Sequence, residues 1–357
     1  MQTRLQQLET FAQQQNLDAV LVTSTANVFY LTGFYCDPKE RFLGLLLFSD
    51  GRKPMIICPN MEMNLARAAG WAHDINGYDD TENPFDKFPT LTSLAIEEEH
   101  VTVARLRKLT NTHRNIETTS IDNELLGMRL QKNEEEIELL QKAAHYADRA
   151  VELGVAALKE GVTELEIIQA IESGLKQEGI SKMSFDPVVL FGKNAADPHG
   201  SPGTTPLKRG DAVLMDLGVY YEGYASDITR TVFFGEPSKE HQEVYDTVLA
   251  ANVAGINACV VDAPIQDTDD AARSLITQAG YGEYFTHRLG HGLGIEVHEE
   301  PSMHGKNSQL LQEGMALTVE PGIYLLEDIG VRIEDDIIVT NNGPLVLTQY
   351  PKNLQIV

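Results

Sequence analysis

The sequence predicts an α+β protein in two parts: an N-terminal α/β layer domain over residues 1–122 and a larger domain over 123–357 built from two related halves. Three observations carry this reading. Helical and strand patterns alternate as far as about residue 122. A long helical stripe then opens at residue 133. Finally, LKRGDAVLMDLG (207–218) and LQEGMALTVEPG (311–322) align without gaps, so the second part repeats itself.

Taken in order, MQTRLQQLETFAQQQNLDAV is an amphipathic helix running into a strand, followed by the apolar runs DAVLVTS, FLGLLLFSDG and PMIICP, a helix near MEMNLARAAG, and VTVARL, which resumes as a strand. In NEEEIELLQKAAHYADRAVELGVAAL, Asn133 is a natural N-cap and Glu134 to Glu136 suit the positive end of a helix. Ile137, Leu140, Ala144, Ala147, Val151 and Leu158 continue the apolar stripe until Gly161. Each aligned segment follows a helical stretch, TELEIIQAIESGLKQEG or TDDAARSLITQAG, and precedes a second apolar strand, SDITRTVFF or GVRIEDDIIV. The repeating unit is therefore a helix plus a hairpin.

Composition excludes several functions. With 53 acidic against 28 basic residues the formal net charge is -25, which disfavours nucleic acid and anionic membrane, since both attract clustered Lys and Arg. Cys36, Cys58 and Cys259 are too few and too scattered for a disulfide framework, which points to a reducing compartment. The N-terminus lacks the continuous apolar core of a signal peptide, and no run is long enough to span a bilayer. A soluble, cytoplasmic protein is expected.

The repeat also locates chemistry. Asp216 and Glu320 occupy the same place in the two aligned segments, and the following strands add Asp227 and Glu334. A hairpin turning on Tyr221 and Glu222 puts Asp216 opposite Asp227, and an odd-length loop centred on Glu327 puts Glu320 opposite Glu334. Both pairs then share one face. Opposed like charges destabilise a sheet, and buried carboxylates without partners cost several kcal/mol or more, so a positive partner is required. A slip of one residue would send one acid to the other face.

The stretch HRLGHGLGIEVHEEP (287–301) has three histidines among glycines. It does not fit the HExxH zinc helix, the dinucleotide fingerprint, or a haem or zinc-finger site, which would need nearby cysteines. Alone it reads as a glycine-rich loop with incidental histidines. With the four acids it completes an oxygen-dominated set with one imidazole, suited to two divalent ions whose charge the four carboxylates balance. Ligand hardness favours manganese, and cobalt or zinc would also fit. The contrary reading is that the acids are solvated hairpin ends.

The succession MDLG, SDITRT, HRLGHGLGIEVHE, LTVEPGIY and VRIEDD resembles the pita-bread metallopeptidases, most of all the Xaa-Pro dipeptidases (prolidases). LVTSTANVFYLTGF with CDPKERFLG is similar to the N-terminal part of bacterial dipeptidases of that family. The resemblance implies a three-layer, creatinase-type N-terminal domain followed by a pseudo-twofold pita-bread catalytic domain. It implies Asp216, Asp227, His291, Glu320 and Glu334 as ligands of a two-metal centre, with Asp227 and Glu334 bridging both ions. Creatinase shares the fold and lacks this metal set. His298, with His199 of NAADPHG across from it, would face the substrate carbonyl, and His287 would shape the pocket. Tyr324 and Thr229 would support the ligands.

The chemistry expected is metal-dependent hydrolysis of Xaa-Pro dipeptides, a bridging hydroxide attacking the scissile carbonyl while Glu320 doubles as ligand and base. Arg332 either pairs with acids beside the ligands or binds the substrate carboxylate. A homodimer is implied, in which loop CDPKERF (36–42) reaches the partner's active site through Asp37, Glu40 or Arg41; read alone, that loop is a solvated turn. The rivals are an aminopeptidase P acting on longer Xaa-Pro peptides, a methionine aminopeptidase, for which the N-terminal domain is superfluous, and a non-catalytic binding module.

Overall fold

A computed structural model describes residues 2–198 and 200–357. The chain forms two compact units, Met1–Arg129 and Leu130–Val357. In the first, strands β1 (Ala19–Val22), β2 (Gly44–Phe48), β3 (Met55–Pro59), β4 (Asp74–Tyr78), β5 (Ser93–Ile96) and β6 (Glu117–Ser120) make one sheet in the order β4-β3-β2-β1-β5-β6. Strands β1, β2 and β3 are buried along their whole length, which is why they read as continuous apolar runs and not as alternating ones. Helices α1 (Gln2–Gln14), α2 (Thr25–Thr32), α3 (Met63–Ala68), α4 (Val103–Thr112) and α5 (Asp122–Leu130) complete the unit.

VTVARL is not a strand. The Thr102 side chain accepts from the Arg105 N–H and caps α4, so local capping overrides the β-branched composition. Helix α5 is fastened to the first unit by the Tyr30 hydroxyl donating to the Met128 carbonyl at 2.6 Å and by Arg129 donating to Asn27 Oδ1 at 2.9 Å. The division between units after Arg129 thus falls at the last residue of α5, a helix that the sequence reading assigns to the second part. Loop 36–42 contains a turn in which Arg41 binds Asp80 through two hydrogen bonds of 2.7 and 3.0 Å.

The second unit displays the duplication. Helices α6 (Glu134–Ala157) and α7 (Glu164–Gln177) precede β7 (Val188–Phe191) and β8 (Ala212–Leu217), then β9 (Tyr220–Tyr221), β10 (Tyr224–Ala225) and β11 (Ile228–Phe233). Helices α8 (Lys239–Ala258) and α9 (Ile265–Gln278) precede β12 (Gly290–Gly292), β13 (Glu299–Met303), β14 (Ala316–Val319), β15 (Gly322–Leu325), β16 (Ile329–Arg332), β17 (Asp335–Ile338) and β18 (Leu345–Val346). The first half gives the antiparallel order β7-β8-β11; the second repeats it as β12-β14-β17, with β13 and β18 added outside. The expected cap of α6 is a full capping box between Asn133 and Glu136.

The two hairpins differ in how they match their expected registers. In the first, Tyr221 pairs with Tyr224, so the turn falls on Glu222 and Gly223, both at positive φ (47° and 90°), as a two-residue hairpin turn demands. Asp216 therefore faces Thr229, and the expected pairing with Asp227 does not form. The error displaces the partner by two residues, which preserves the face, since side chains alternate with a period of two. In the second hairpin Leu325 pairs with Ile329, the loop is centred on Glu327 (φ 64°), and Val319↔Asp335 and Gly322↔Arg332 set position 320 opposite 334.

The connection from β7 to β8 is held at both ends by one carboxylate. Glu164, fully buried at the start of α7, accepts from Phe191 N (2.9 Å), Asn194 Nδ2 (3.0 Å) and Gly203 N (2.8 Å). Removing it leaves three donors unsatisfied. Glu164→Ala is therefore expected to destabilise the protein by about 3 kcal/mol in urea denaturation; a loss below about 1 kcal/mol would mean that water replaces the carboxylate. Among the described residues no helix is long and apolar enough to cross a membrane.

Candidate metal centre

Five side chains from separate stretches meet in the second unit. Asp216 is near the end of β8, Asp227 immediately precedes β11, His291 is the middle residue of β12, Glu320 follows β14, and Glu334 lies between β16 and β17. The glycines around His291 have a steric cause. A Cβ at Gly290 would meet the Thr318 carbonyl oxygen at 2.1 Å, and one at Gly292 would meet the Glu300 carbonyl oxygen at 2.1 Å. Only glycine lets strands β13 and β14 close on β12 tightly enough to carry the imidazole inward.

Ligand atoms of Asp227, His291 and Glu334 all lie within 4.8 Å of one another, and the three residues are buried. His291 Nε2 is 3.7 Å from Asp227 Oδ2 and 3.6 Å from Glu320 Oε1. Its other nitrogen, Nδ1, is 3.0 Å from the Gly292 carbonyl oxygen; a proton on Nδ1 leaves a lone pair on Nε2 toward the acids. Asp216 is hydrogen-bonded to Arg332 Nη2, and Thr229 donates to Glu334 Oε2 at 2.6 Å.

The electrostatics are those of a site built for a cation. Burial and the charges of Glu334 and Asp216 push the Asp227 carboxyl well above its ordinary range. Burial and the charge of Glu320 do the same to Glu334, and Glu320 itself is raised to about 8 by burial, against the opposing Arg332 charge. Burial also holds His291 neutral, lowering its pKa to about 3. The buried oxygens Asp216 Oδ1 and Asp227 Oδ1 have no hydrogen-bond partner among the described residues. Carboxylates that repel one another, a neutral imidazole and orphaned oxygens together fit one or more divalent cations, the oxygen-rich donor set that hard metals select.

The sequence matches metallopeptidase family M24 over residues 138–341 and the creatinase/prolidase N-terminal domain over residues 4–131. The chain belongs to metallopeptidase family M24. An uncharacterized peptidase of Staphylococcus aureus (strain MW2) is 49% identical over 339 residues, 95% of this chain and 96% of that protein. The crystal structure of the prolidase from Pyrococcus horikoshii OT3 superposes with a TM-score of 0.93 at 32% identity, covering 99% of both chains. The X-Pro aminopeptidase from Thermotoga maritima MSB8 superposes with a TM-score of 0.88, also at 32% identity, over 96% of this chain and 98% of that one. The protein is thus a metal-dependent hydrolase of peptide bonds with the creatinase-type and pita-bread architecture.

The remaining candidate residues of this M24 peptidase fall into distinct places. His298 is exposed, its ring edge-to-face with that of His291 at 4.3 Å between centroids, and burial of its inner part with the nearby Arg288 charge lowers its pKa. His199 lies outside the described residues. Arg332 makes an ion pair with Asp216, an acid of the cluster itself, and also donates to Thr229 Oγ1 (3.1 Å) and Tyr324 Oη (2.7 Å). Tyr324 thus touches Arg332, and His287 at 2.9 Å, while Thr229 reaches the acid Glu334.

Sequence reasoning missed Asp336, whose Oδ2 accepts from the Asp227 N–H at 2.9 Å and fixes the backbone under that acid. The signal was the doubled acid in VRIEDD, of which only the glutamate was used. It also missed Arg288, three residues before His291, whose Nη1 donates at 2.9 Å to Ser302, the cross-strand partner of His291. That contact sets a guanidinium beside the imidazole, on the same sheet face.

Proposed function

We propose that this M24 peptidase is an Xaa-Pro dipeptidase that holds two divalent ions, manganese by donor hardness, on Asp216, Asp227, His291, Glu320 and Glu334. The observation that carries the reading is the convergence of four acids and one neutral imidazole around orphaned buried oxygens, with a negative field that divalent cations relieve. Bound divalent ions supply two things, a lowered pKa for water and polarisation of the scissile carbonyl. The chain's own residues do the rest. Glu320, its side chain 18% exposed against 7% for Asp227, meets the solvent side and takes the proton from the attacking water. It returns that proton to the proline nitrogen as it leaves.

His298, kept neutral by its lowered pKa, donates an N–H to the carbonyl oxygen as negative charge develops there. His199 is proposed to meet the substrate from the other side. Arg332 orients Asp216 and braces Tyr324. We further place the enzyme in a reducing cytoplasm, as a homodimer. Its three cysteines are buried free thiols, and the resemblance is to dimeric prolidases.

The rival reading is an aminopeptidase P, favoured by the same 32% identity to an X-Pro aminopeptidase as to a prolidase. Hydrolysis of Ala-Pro, Leu-Pro and an Xaa-Pro-Xaa tripeptide with manganese supplied separates them: dipeptides are expected to be cleaved and the tripeptide left largely intact. Preferential cleavage of the tripeptide would make the protein an aminopeptidase P, and no cleavage of either would overturn both Xaa-Pro readings. His298→Ala is expected to retain its metal and to lose about 100-fold in kcat. Loss of metal from that variant would put His298 among the ligands.

A further inference from the structure

Behind the metal-binding acids runs a buried polar chain that the proposed mechanism does not use. Arg230, 1% exposed, donates through Nη1 to the Thr229 carbonyl at 3.0 Å and to the Glu334 carbonyl, and through Nη2 to Asp335 Oδ1 at 2.7 Å. The other oxygen, Asp335 Oδ2, accepts from Lys352 Nζ at 2.6 Å, and the same ammonium donates to Asn252 Oδ1 at 2.9 Å. Asn252, fully buried on α8, directs its amide N–H groups to the carbonyls of Val319 (3.0 Å) and Ile333 (3.2 Å). Val319 and Ile333 immediately precede Glu320 and Glu334.

The orientation of the Asn252 amide is the critical point. Its Nδ2 can serve both carbonyls only while Oδ1 faces a donor, and that donor is the Lys352 ammonium. Asp335, fully buried, likewise holds one cation on each oxygen: Arg230 on Oδ1, where Thr348 also donates at 2.8 Å, and Lys352 on Oδ2. Lys352 comes from the C-terminal segment, which is itself laced to β11: Arg230 donates to the Tyr350 carbonyl at 2.8 Å, and Phe233 exchanges hydrogen bonds of 2.9 Å with Gln355 and Val357.

We propose that Lys352 is a positioning residue of the metal centre: from the C-terminal segment it fixes, through Asn252 and Asp335, the backbone of the two stretches that carry Glu320 and Glu334. The inference rests on the reading of those acids as metal ligands. It requires a cation at position 352, and Arg satisfies that requirement where Met does not.

The test is Co²⁺ titration of the full-length protein and of Lys352→Met and Lys352→Arg, followed by calorimetry and by the visible absorption of the bound ion, with melting of the metal-free forms alongside. Lys352→Met is expected to bind Co²⁺ about tenfold more weakly, with a changed absorption band, while Lys352→Arg keeps most of the affinity and the wild-type band. The metal-free melting points are expected to stay within a few degrees of one another. If Lys352→Met binds Co²⁺ as tightly as wild type with the same spectrum, or if Lys352→Arg fails as badly as Lys352→Met, the proposal is overturned. Should Lys352→Met not fold, Asn252→Ala interrogates the same link and is expected to show the same loss, normal binding again overturning the proposal. If the wild-type protein takes up no Co²⁺, the metal-centre reading fails first and this inference falls with it.

Discussion

Asp227→Asn is expected to abolish divalent-ion uptake and peptide hydrolysis and, in the metal-free protein, to raise the melting temperature. The two effects have one cause. Asp227 is 5% exposed, its Oδ1 has no hydrogen-bond partner among the described residues, and burial and the charges of Glu334 and Asp216 oppose its ionisation. Without a cation, ionising that carboxyl is a net loss, which the neutral amide avoids while keeping nearly the same volume. With a cation, the same carboxylate supplies a negative donor that asparagine cannot replace. Metal content should fall to background and kcat/KM by about 1000-fold or more, the scale expected when the group activating water is lost. Melting in excess chelator should rise by a few degrees. Glu334→Gln is expected to behave alike, since its remaining oxygen can still accept from Thr229. Near-normal turnover or metal content in either variant would remove these acids from the site. A lowered metal-free melting point would mean that burial and repulsion do not oppose the ionisation of these acids.

The sequence made some of this architecture readable and left other parts opaque, for physical reasons. The duplication was legible because each half must build the same strand around an acid, which leaves Gly210 and Gly314, Asp216 and Glu320, Gly218 and Gly322 in step. The second register was legible because a loop centred on Glu327 admits one pairing. In the first hairpin YYEGYA permits two turns, and the glycine after Glu222 was the clue, since the favoured two-residue turn places Gly second. Thr102 was hidden by β-branched neighbours. Glu164, Asn252, Arg230, Asp335 and Lys352 could not have been found from spacing. Each acts on backbone or side-chain groups far away in the chain, and such contacts leave no period in the residues between. The ion pair of Arg332 with Asp216 is of the same kind. Strand alternation gave its face but not which acid on that face it would meet.

The metal-free protein is expected to lose stability as pH rises from 6.5 to 8, while the metal-loaded protein does not, so that the gap between their melting temperatures widens across that window. Glu320 has a folded pKa of about 8 against an ordinary 4.5, so between those values the folded chain keeps a proton that the unfolded chain gives up. Stability then falls with rising pH, by up to about 1.4 kcal/mol per pH unit for each such group. Asp227 and Glu334, raised well above their ordinary values, add in the same direction. His291 works the other way, in a lower window. Its pKa falls from 6.5 to about 3 on folding, so it destabilises the fold as pH drops below 6.5 and is silent above it. The interval from 6.5 to 8 therefore isolates the acids. Bound cations reverse their sign, because ligand carboxylates must be ionised and their protons leave on binding. Calorimetry of Mn²⁺ binding at pH 7 in buffers of different ionisation enthalpy should accordingly register release of at least about one proton. Should chelated and loaded proteins keep a constant gap over this range, with no proton released, the acids do not share one buried field and the metal centre assigned to them is wrong.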